Sequence, residues 1–244
     1  MDKLAGRKIV ITGAAGGMGY AIADLFVRHG AAAALLDRNT ARVEAAAAAI
    51  GGIGIGCDVT DRPAVGTAIA QAEAAMGGID GIVNAAGILD ITPIDELDPA
   101  SWDRMIAVNL TGPFNVMKAA LLALRRAEAA TIVTIASVSA LMPMAGTVGY
   151  SASKAGVAMM TKALAFDLGP RIRANTICPG VIRTEMTRYL WENPEHAERA
   201  ASRVALRRLG EVGDVAAAAL FLTSADSRFT TGTEIPVDGG FSWR

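Results

Sequence analysis

The sequence predicts a fold of the α/β class. We expect a single domain, residues 1–244, built on a doubly wound parallel β-sheet of about seven strands with helices on both faces. Two observations support this prediction. Short apolar segments alternate with helix-length segments from one end of the chain to the other, as in a series of βαβ units. The short segments are apolar at nearly every position, which is typical of strands covered by helices on both faces.

The predicted elements follow one another closely along the chain. The predicted strands are residues 8–12, 32–37, 53–57, 81–84, 131–136, 172–177 and 234–237. The predicted helices are residues 17–29, 40–50, 61–76, 99–127, 150–168 and 212–224. The long helix at 99–127 is expected to bend or break near Gly112-Pro113, because proline lacks the backbone N–H that a helix interior uses. Residues 184–210 interrupt the alternation, and a connection this long predicts a lid over the carboxyl ends of the strands.

Composition argues against several classes of partner. The net charge is −1 and no basic or acidic tract occurs, so we expect neither nucleic acid nor an anionic membrane as a partner. No signal-like segment stands at the N-terminus, and no apolar run reaches the eighteen or so residues of a membrane span. Cys57 and Cys178 lie in apolar segments without metal-ligand spacing, which indicates buried free thiols and no metal site. These features predict a cytoplasmic protein.

A glycine-rich segment at residues 12–19 follows the first strand and opens the first helix. Glycines let the backbone approach a diphosphate closely, and the helix N-terminus offers free N–H groups. Such turns also serve purely structural ends, but the position between a strand and a helix favours nucleotide binding. The residues that we expect to bind the nucleotide here are Gly13, Gly16, Gly17, Met18 and Gly19.

The ends of the next three strands carry further candidates for this site. Asp37 ends the second strand, where a carboxylate binds an adenosine ribose diol and repels a 2′-phosphate, so NAD is predicted over NADP. Arg38 complicates that prediction, because an arginine here can stack on adenine or pair with a phosphate. After the third and fourth strands, the candidates are Asp58 and Val59 beside the adenine, and Asn84, Ala85 and Gly87 against the cofactor. Each of these is also a common turn residue.

A second constellation carries the chemistry. Tyr150 and Lys154 stand four apart on one face of a predicted helix, and Ser137 ends the predicted strand before it. A free tyrosine has a pKa of about 10, and a cation fixed beside it lowers that value toward neutrality. A tyrosine and a lysine at this spacing also occur by chance on many helices, with the lysine solvated. The other motifs of the chain decide between these interpretations.

Taken together, these segments resemble the short-chain dehydrogenase/reductase family over residues 3–240. The matches are residues 12–19 for the TGxxxGxG loop, 84–87 for NNAG with Ala85 in place of its second asparagine, Asn109 for the helix asparagine, Ser137, Tyr150 and Lys154 for the catalytic serine and YxxxK, 179–184 for PGxxxT, and 237–240 for the C-terminal signature. The loop at 168–175 is about a residue shorter than is usual in the family, away from the expected active site.

The resemblance implies a Rossmann-type fold and a set of roles. Tyr150 would exchange a proton with the substrate oxygen, and Ser137 would orient that oxygen. Lys154 would lower the pKa of Tyr150 and bind the nicotinamide ribose, and Asn109 would hold a water that links Lys154 to solvent. Thr184 and the backbone at Val181 and Ile182 would bind the carboxamide of the cofactor. Pro179, Tyr150 and Lys154 would also contact the cofactor. The family resemblance further implies a homotetramer that packs through the helices at 99–127 and 150–168.

The substrate candidates are apolar and rich in methionine, which favours a hydrophobic or cyclic secondary alcohol or ketone. The residues expected to line the substrate pocket are Ser139, Met142, Met144, Met186, Tyr189 and Trp191. A 3-oxoacyl-[acyl-carrier-protein] reductase is the alternative enzyme. Asp37 argues against it, and Arg125, Arg126 and Arg171 leave it open. The alternative to an enzyme is a nucleotide-binding regulatory protein that keeps the fold but does not catalyse a reaction.

Overall fold

The computed structural model describes residues 2–243 and contains the predicted parallel sheet. All seven strands lie in one sheet in the order β3-β2-β1-β4-β5-β6-β7, and every neighbouring pair is parallel. The strands are β1 Lys8–Thr12, β2 Ala32–Asp37, β3 Ile53–Gly56, β4 Gly81–Asn84, β5 Ala130–Ile135, β6 Ile172–Pro179 and β7 Glu234–Val237. Strand order reverses between β1 and β4, and the loops after these two strands diverge there to leave a crevice.

Helices connect these strands, and most begin and end within two residues of their predicted limits. They are α1 Gly17–Arg28, α2 Thr40–Ile50, α3 Arg62–Met76, α4 Pro99–Ile106, α5 Gly112–Arg126, α6 Val148–Leu168, α7 Arg188–Trp191, α8 Pro194–Ser202 and α9 Val212–Thr223. Side-chain caps set the starts of α2, α3, α4 and α8. The Asn39 side chain accepts from Arg42 N at 3.1 Å, and Asp61 accepts from Ala64 N at 3.1 Å, which makes Asp61 the cap of α3 and not its first residue.

The predicted break in the long helix falls five residues earlier than expected. A π-helical turn at Ala107–Thr111 separates α4 from α5, and Gly112-Pro113 opens α5. Gly112 is required there because a Cβ on it would lie 2.6 Å from Val59 Cγ2. The wider turn carries Asn109, whose side chain points into the interior.

Two apolar layers hold the sheet, one on each face. Val10 and Leu36 pack with α3 and α5, whereas Ile9 and Ile11, on the opposite side of β1, pack with α1, α2 and α9. This alternation follows from the two-residue period of a strand, and it explains why the strands are apolar throughout. Burying each isoleucine or leucine side chain contributes about 1.5–3 kcal/mol. Cys57 and Cys178 are buried free thiols, as predicted.

The segment 184–210 folds into short helices. A 3₁₀ turn at Glu185–Thr187 leads into α7 and α8, and a parallel bridge between Ile182 and Gly210 closes the base of the segment. Among the described residues, one helical stretch, Pro99–Arg126, is long and apolar enough to cross a membrane by length and composition alone. Its most apolar window is 44% buried inside the protein, and the core helix of a soluble protein meets the same two criteria.

Candidate active site

The glycine-rich loop forms a cradle that no side chain could occupy. Gly13 has a φ of 65°, and a Cβ on it would lie 2.7 Å from the Cα and N of Ala86, in the segment after β4. A Cβ on Gly19 would lie 2.3 Å from Gly13 O, inside the loop itself. The backbone of the loop is therefore pressed against the β4 segment, with the N-terminus of α1 above it. This bare backbone fits the diphosphate of a dinucleotide, which needs close approach to main-chain N–H groups.

A cleft opens beside this cradle at the carboxyl ends of β1 to β4. Of the residues predicted to bind the cofactor, those that line it are Gly13, Gly16, Gly17, Met18, Gly19, Asp37, Arg38, Asp58, Val59, Ala85, Gly87 and Thr184. Six further residues line the cleft that were not predicted to bind the cofactor, namely Leu36, Cys57, Ala86, Ile88, Val108 and Glu185. Each of them is a direct neighbour of a predicted site residue, and that adjacency is the signal that would have found them. Val108 precedes Asn109 in the π-helical turn.

Six of the predicted cofactor residues lie outside the lining of the cleft, and two of them, Tyr150 and Lys154, lie on α6. Asn84 is 1% exposed beneath the cleft, and neither polar atom of its side chain has a hydrogen-bond partner among the described residues. Pro179 is buried as the last residue of β6. Val181 and Ile182 line a different cavity, beside residues 204–210 and 236–240. The bridge to Gly210 accounts for this, because it ties the backbone at Ile182 to the last residue of the segment 184–210.

Asp37 joins β2 to the glycine-rich loop. Its Oδ2 accepts a hydrogen bond from Ala15 N at 3.3 Å, and its Oδ1 accepts from Asn39 N at 3.0 Å. The carboxylate is thereby fixed at the rim of the cleft, beside the glycine-rich loop.

Ser137, Tyr150 and Lys154 converge, as their positions predicted. Ser137 follows β5, and its Oγ accepts from Ser139 N at 3.1 Å. The Ser137 hydroxyl also acts to lower the pKa of Tyr150, so the two side chains are neighbours. Lys154 lies one helical turn beyond Tyr150 on α6, with its Nζ 5.7 Å from the centre of the tyrosine ring. The same Nζ donates to Ile135 O at 3.0 Å. A hydroxyl, a phenol and an ammonium group therefore meet at the end of β5.

Burial governs the protonation of this group. It lowers the pKa of Lys154 from 10.5 to about 8, because a low-dielectric setting disfavours the ammonium. It raises the pKa of Tyr150 as well, while the hydrogen bond from Ser137 opposes that rise and the nearby Tyr189 adds to it. The pKa of Tyr150 thus moves opposite to the direction expected from a neighbouring cation. Burial of the phenol is the largest cause of this rise.

Asn109 anchors the segment after β4. Its Nδ2 donates to Ile88 O at 2.9 Å and to Ser153 Oγ at 3.0 Å, and its Oδ1 accepts from Ile88 N at 2.8 Å. A Cβ on Gly87 would lie 3.2 Å from Lys154 Nζ and 3.3 Å from Asn109 Oδ1. The two side chains therefore border one small space above Gly87, which a side chain at that position would fill.

The predicted substrate residues spread over two environments. Ser139 is 4% exposed, and its Oγ has no hydrogen-bond partner among the described residues. Trp191 donates from Nε1 to Thr184 O at 3.1 Å, which ties α7 to the start of the segment 184–210. Met142 is half-buried, whereas Met144, Met186 and Tyr189 are exposed. Met186 lines the cofactor cleft as well.

One loop near these residues was not anticipated. Thr92 N donates to Gly146 O at 2.9 Å, so the loop after β4 joins the loop that precedes α6. Asp90 accepts from Thr92 Oγ1 at 2.6 Å and from Ser101 Oγ, which holds the same loop against α4. Exposed apolar residues stand on the joined loops, namely Ile91, Ile94, Leu141, Met144 and Val148.

Comparisons with known proteins agree with this geometry. A family model described as enoyl-(acyl carrier protein) reductase matches residues 13–242. The chain is 36% identical to 2-(S)-hydroxypropyl-CoM dehydrogenase 3 of Xanthobacter autotrophicus, over 99% of this chain and 98% of the relative. It is 34% identical to a cyclopentanol dehydrogenase of a Comamonas species, over 99% of each chain. A gluconate 5-dehydrogenase of Burkholderia cenocepacia, solved with NADP and tartrate, superimposes with a TM-score of 0.94 at 33% identity, over 100% of this chain and 98% of that one.

The fold, the cleft and these relatives define an oxidoreductase that acts on CH–OH groups with a nicotinamide cofactor. The chain belongs to the short-chain dehydrogenase/reductase family, as its motifs predicted. The relatives are named for different substrates. Membership of the family therefore determines the type of reaction, whereas the residues of the substrate pocket determine the substrate.

Proposed function

We propose that the protein is an NAD-preferring dehydrogenase that interconverts a hydrophobic or cyclic secondary alcohol and its ketone. The observation that carries this proposal is the convergence of Ser137 and Tyr150 with the buried Lys154. These groups stand at the end of β5, next to a cleft whose cradle fits a dinucleotide. When bound, the nicotinamide cofactor supplies or accepts the hydride.

In this proposal the side chains of the site handle one proton. Tyr150 holds the proton on its phenol oxygen, gives it to the carbonyl oxygen in reduction and takes it from the hydroxyl in oxidation. Ser137 donates to the same substrate oxygen, which stabilises the negative charge that develops there. Lys154, whose ammonium lies one turn away, stabilises the phenolate that remains. Asn109 borders the space above Gly87 and would hold a water there that returns protons to Lys154.

The preference for NAD rests on Asp37. Its carboxylate is held at the rim of the cleft by two backbone N–H groups, where it would accept from a ribose diol. A 2′-phosphate at the same place would meet a negative charge. Thr184 is the residue of the 179–184 segment that lines the cleft, and in this proposal it binds the nicotinamide end of the cofactor.

The hydrophobic substrate rests on the apolar side chains around the site. Ile91, Leu141, Met144 and Val148 are exposed on the joined loops, and the relative named cyclopentanol dehydrogenase is consistent with an apolar ring as substrate. The arginines that left an acyl-carrier-protein substrate open lie elsewhere. Arg126 pairs with Glu73 near the amino ends of the strands, and Arg171 directly precedes the first residue of β6.

We also propose a homotetramer, on the basis of two separate exposed apolar faces. Phe114 and Leu122 on α5 are exposed, as are Met159 and Phe166 on α6, with Phe166 at 86%. Near the C-terminus, Phe229 and Trp243 are likewise exposed. Two self-complementary faces are what a tetramer of dihedral symmetry requires. Light scattering would give four chain masses, and a single chain mass would disprove the assembly.

The experiment for the function is the Tyr150→Phe variant, assayed for oxidation of secondary alcohols with NAD. We expect kcat/KM to fall at least about 100-fold with NAD binding within about twofold of the parent, because the variant loses only the acidic hydroxyl. Tyr20→Phe is the matched control, since it removes the same hydroxyl from a tyrosine that packs in the α1 layer. Retained activity in Tyr150→Phe would exclude Tyr150 as the acid, and no turnover across a broad alcohol and ketone panel would favour the regulatory alternative.

A further inference from the structure

A seam of small residues runs along one face of α6, where that helix packs on α4 and the π-helical turn. Gly149 and Gly156 form the ends of the seam, and Ser153, which is 0% exposed, stands between them. A Cβ on Gly149 would lie 2.5 Å from Met105 Cε, and a Cβ on Gly156 would lie 3.1 Å from Leu110 Cδ2. The two helical segments therefore approach each other closely on both sides of Ser153.

Ser153 is the polar residue of this seam, and its hydroxyl joins two residues of the site. Its Oγ donates to the main-chain carbonyl oxygen of Tyr150 at 2.7 Å and accepts from Asn109 Nδ2 at 3.0 Å. A hydroxyl has one hydrogen to donate, so the Tyr150 carbonyl takes it and the Asn109 amide supplies the hydrogen of the second bond. The two bonds connect the π-helical turn to the first turn of α6.

The same bonds determine how the Asn109 amide is oriented. Its Nδ2 also donates to Ile88 O at 2.9 Å, and its Oδ1 accepts from Ile88 N at 2.8 Å. Both amide hydrogens are thus used, and Oδ1 borders the space above Gly87 together with the ammonium of Lys154. Loss of the Ser153 hydroxyl would leave one buried N–H of Asn109 without this acceptor and would free the amide to tilt.

We propose that Ser153 is a positioning residue for the reaction, which acts through Asn109 and Tyr150 without touching the substrate or the cofactor. This inference rests on the proposed function. The Ser153 hydroxyl holds the Asn109 oxygen toward Lys154 and holds the main chain of Tyr150 at the start of α6. Because Tyr150 and Lys154 directly follow Gly149 and Ser153, a shift of the seam moves both catalytic groups. A displacement of about 1 Å at such a group can reduce a rate by about 100-fold.

The test compares Ser153→Ala with Thr161→Val, by urea unfolding and by steady-state oxidation, with NAD, of the secondary alcohol that the wild type oxidises fastest. Thr161 is the matched control, because it is also 0% exposed on α6. Its hydroxyl likewise donates to a carbonyl one turn earlier, Val157 O at 2.8 Å, and bonds to a side chain of another element, Thr134 Oγ1 at 2.9 Å.

We expect similar decreases in the urea midpoint of the two variants, because each loses two buried hydrogen bonds. Only Ser153→Ala should lower kcat, by about five- to 20-fold, with KM for the alcohol and for NAD within about twofold of the wild type. A double-mutant cycle then tests the route of the effect. In the Asn109→Ala background, Ser153→Ala should lower kcat further by less than about twofold, because the amide that Ser153 holds is gone.

Three results would overturn the inference. If Ser153→Ala keeps the kcat of the wild type, or if Thr161→Val lowers kcat as much, the hydroxyl contributes to stability alone, and the proposed dehydrogenase function stands. If the effects of Ser153→Ala and Asn109→Ala on kcat are additive, Ser153 does not act through Asn109. If the wild type turns over no alcohol or ketone, the proposed function fails together with this inference.

Discussion

The ammonium of Lys154 donates a hydrogen bond to the backbone carbonyl of Ile135 at 3.0 Å, which joins the first turns of α6 to the last residue of β5. Ser137 follows two residues later, so this bond holds the strand end that presents the serine to Tyr150. Lys154 is 5% exposed, and its burial, which lowers its pKa to about 8, works against the folded state. The lysine is therefore retained at a cost in stability.

The first prediction concerns that cost. A lowered pKa means that the unfolded chain binds the proton more tightly, so the penalty is full below about pH 8 and disappears as pH rises toward 10.5, where both states are neutral. Lys154→Met should raise the free energy of unfolding at pH 7 by about 1–3 kcal/mol, allowing for the lost bond to Ile135. This gain in the free energy of unfolding should shrink between pH 8 and pH 10. Urea unfolding of the variant and the wild type at several pH values measures the gain.

Lys118→Met is the control for this experiment, because Lys118 is exposed on α5 and loses little hydration on folding. The difference in free energy of unfolding between Lys118→Met and the wild type should stay constant over the same pH range. A Lys154→Met variant that is less stable at pH 7 would show that the hydrogen bond to Ile135 outweighs the burial of the charge.

The second prediction concerns the glycine-rich loop. Gly13→Ala places a side chain at a φ of 65° and brings its Cβ to 2.7 Å from the Ala86 backbone. Gly51→Ala introduces a similar strain at a φ of 73° in open space. We expect Gly51→Ala to cost about 1 kcal/mol of unfolding free energy and Gly13→Ala at least twice as much, with loss of nucleotide binding. Equal costs in urea unfolding would mean that the Ala86 backbone moves freely away from Gly13.

The third prediction concerns the choice of cofactor. Asp37→Ser removes a charge and keeps a hydrogen-bonding group at the rim of the cleft. Because Arg38 lines the same rim, KM for NAD should rise and KM for NADP should fall, each about tenfold or less. Steady-state kinetics with both cofactors measures the change. If the ratio of kcat/KM with NAD to kcat/KM with NADP does not change, Asp37 does not bind the adenosine ribose.

The fourth prediction concerns the loop after β4. Asp90 holds it through Ser101 and Thr92, and these hydroxyl donors keep the pKa of the Asp90 carboxyl below its ordinary value. A lowered carboxyl pKa means that the anchor is intact at neutral pH and is lost only as pH falls below the ordinary range. Asp90→Ala should raise KM for the alcohol several-fold and leave NAD binding unchanged.

Asp95→Ala is the control. Asp95 is exposed on the same loop, and its substitution removes the same charge. An equal effect from both variants, measured as KM for the alcohol, would assign the result to loop charge and not to the anchor.

The sequence determined the sheet, its strands and the convergence of Ser137 with Tyr150, because these depend on local signals. Apolar runs mark buried strands, glycines mark places where a backbone must approach closely, and the i, i+4 spacing puts Tyr150 and Lys154 on one helix face. The glycine cradle at Gly13 and the buried cysteines followed from the same kind of reasoning.

The tertiary structure alone decided which groups meet across elements. Lys154 is directed to Ile135, Arg42 reaches over Gly16, and Ile182 turns from the cofactor cleft to the cavity beside Gly210. None of these contacts has a signal in the sequence, because each joins residues whose separation is set by packing of helices on the sheet. Local patterns fix what each element is, whereas the final direction of a side chain depends on the burial and the hydrogen-bond acceptors that other elements supply.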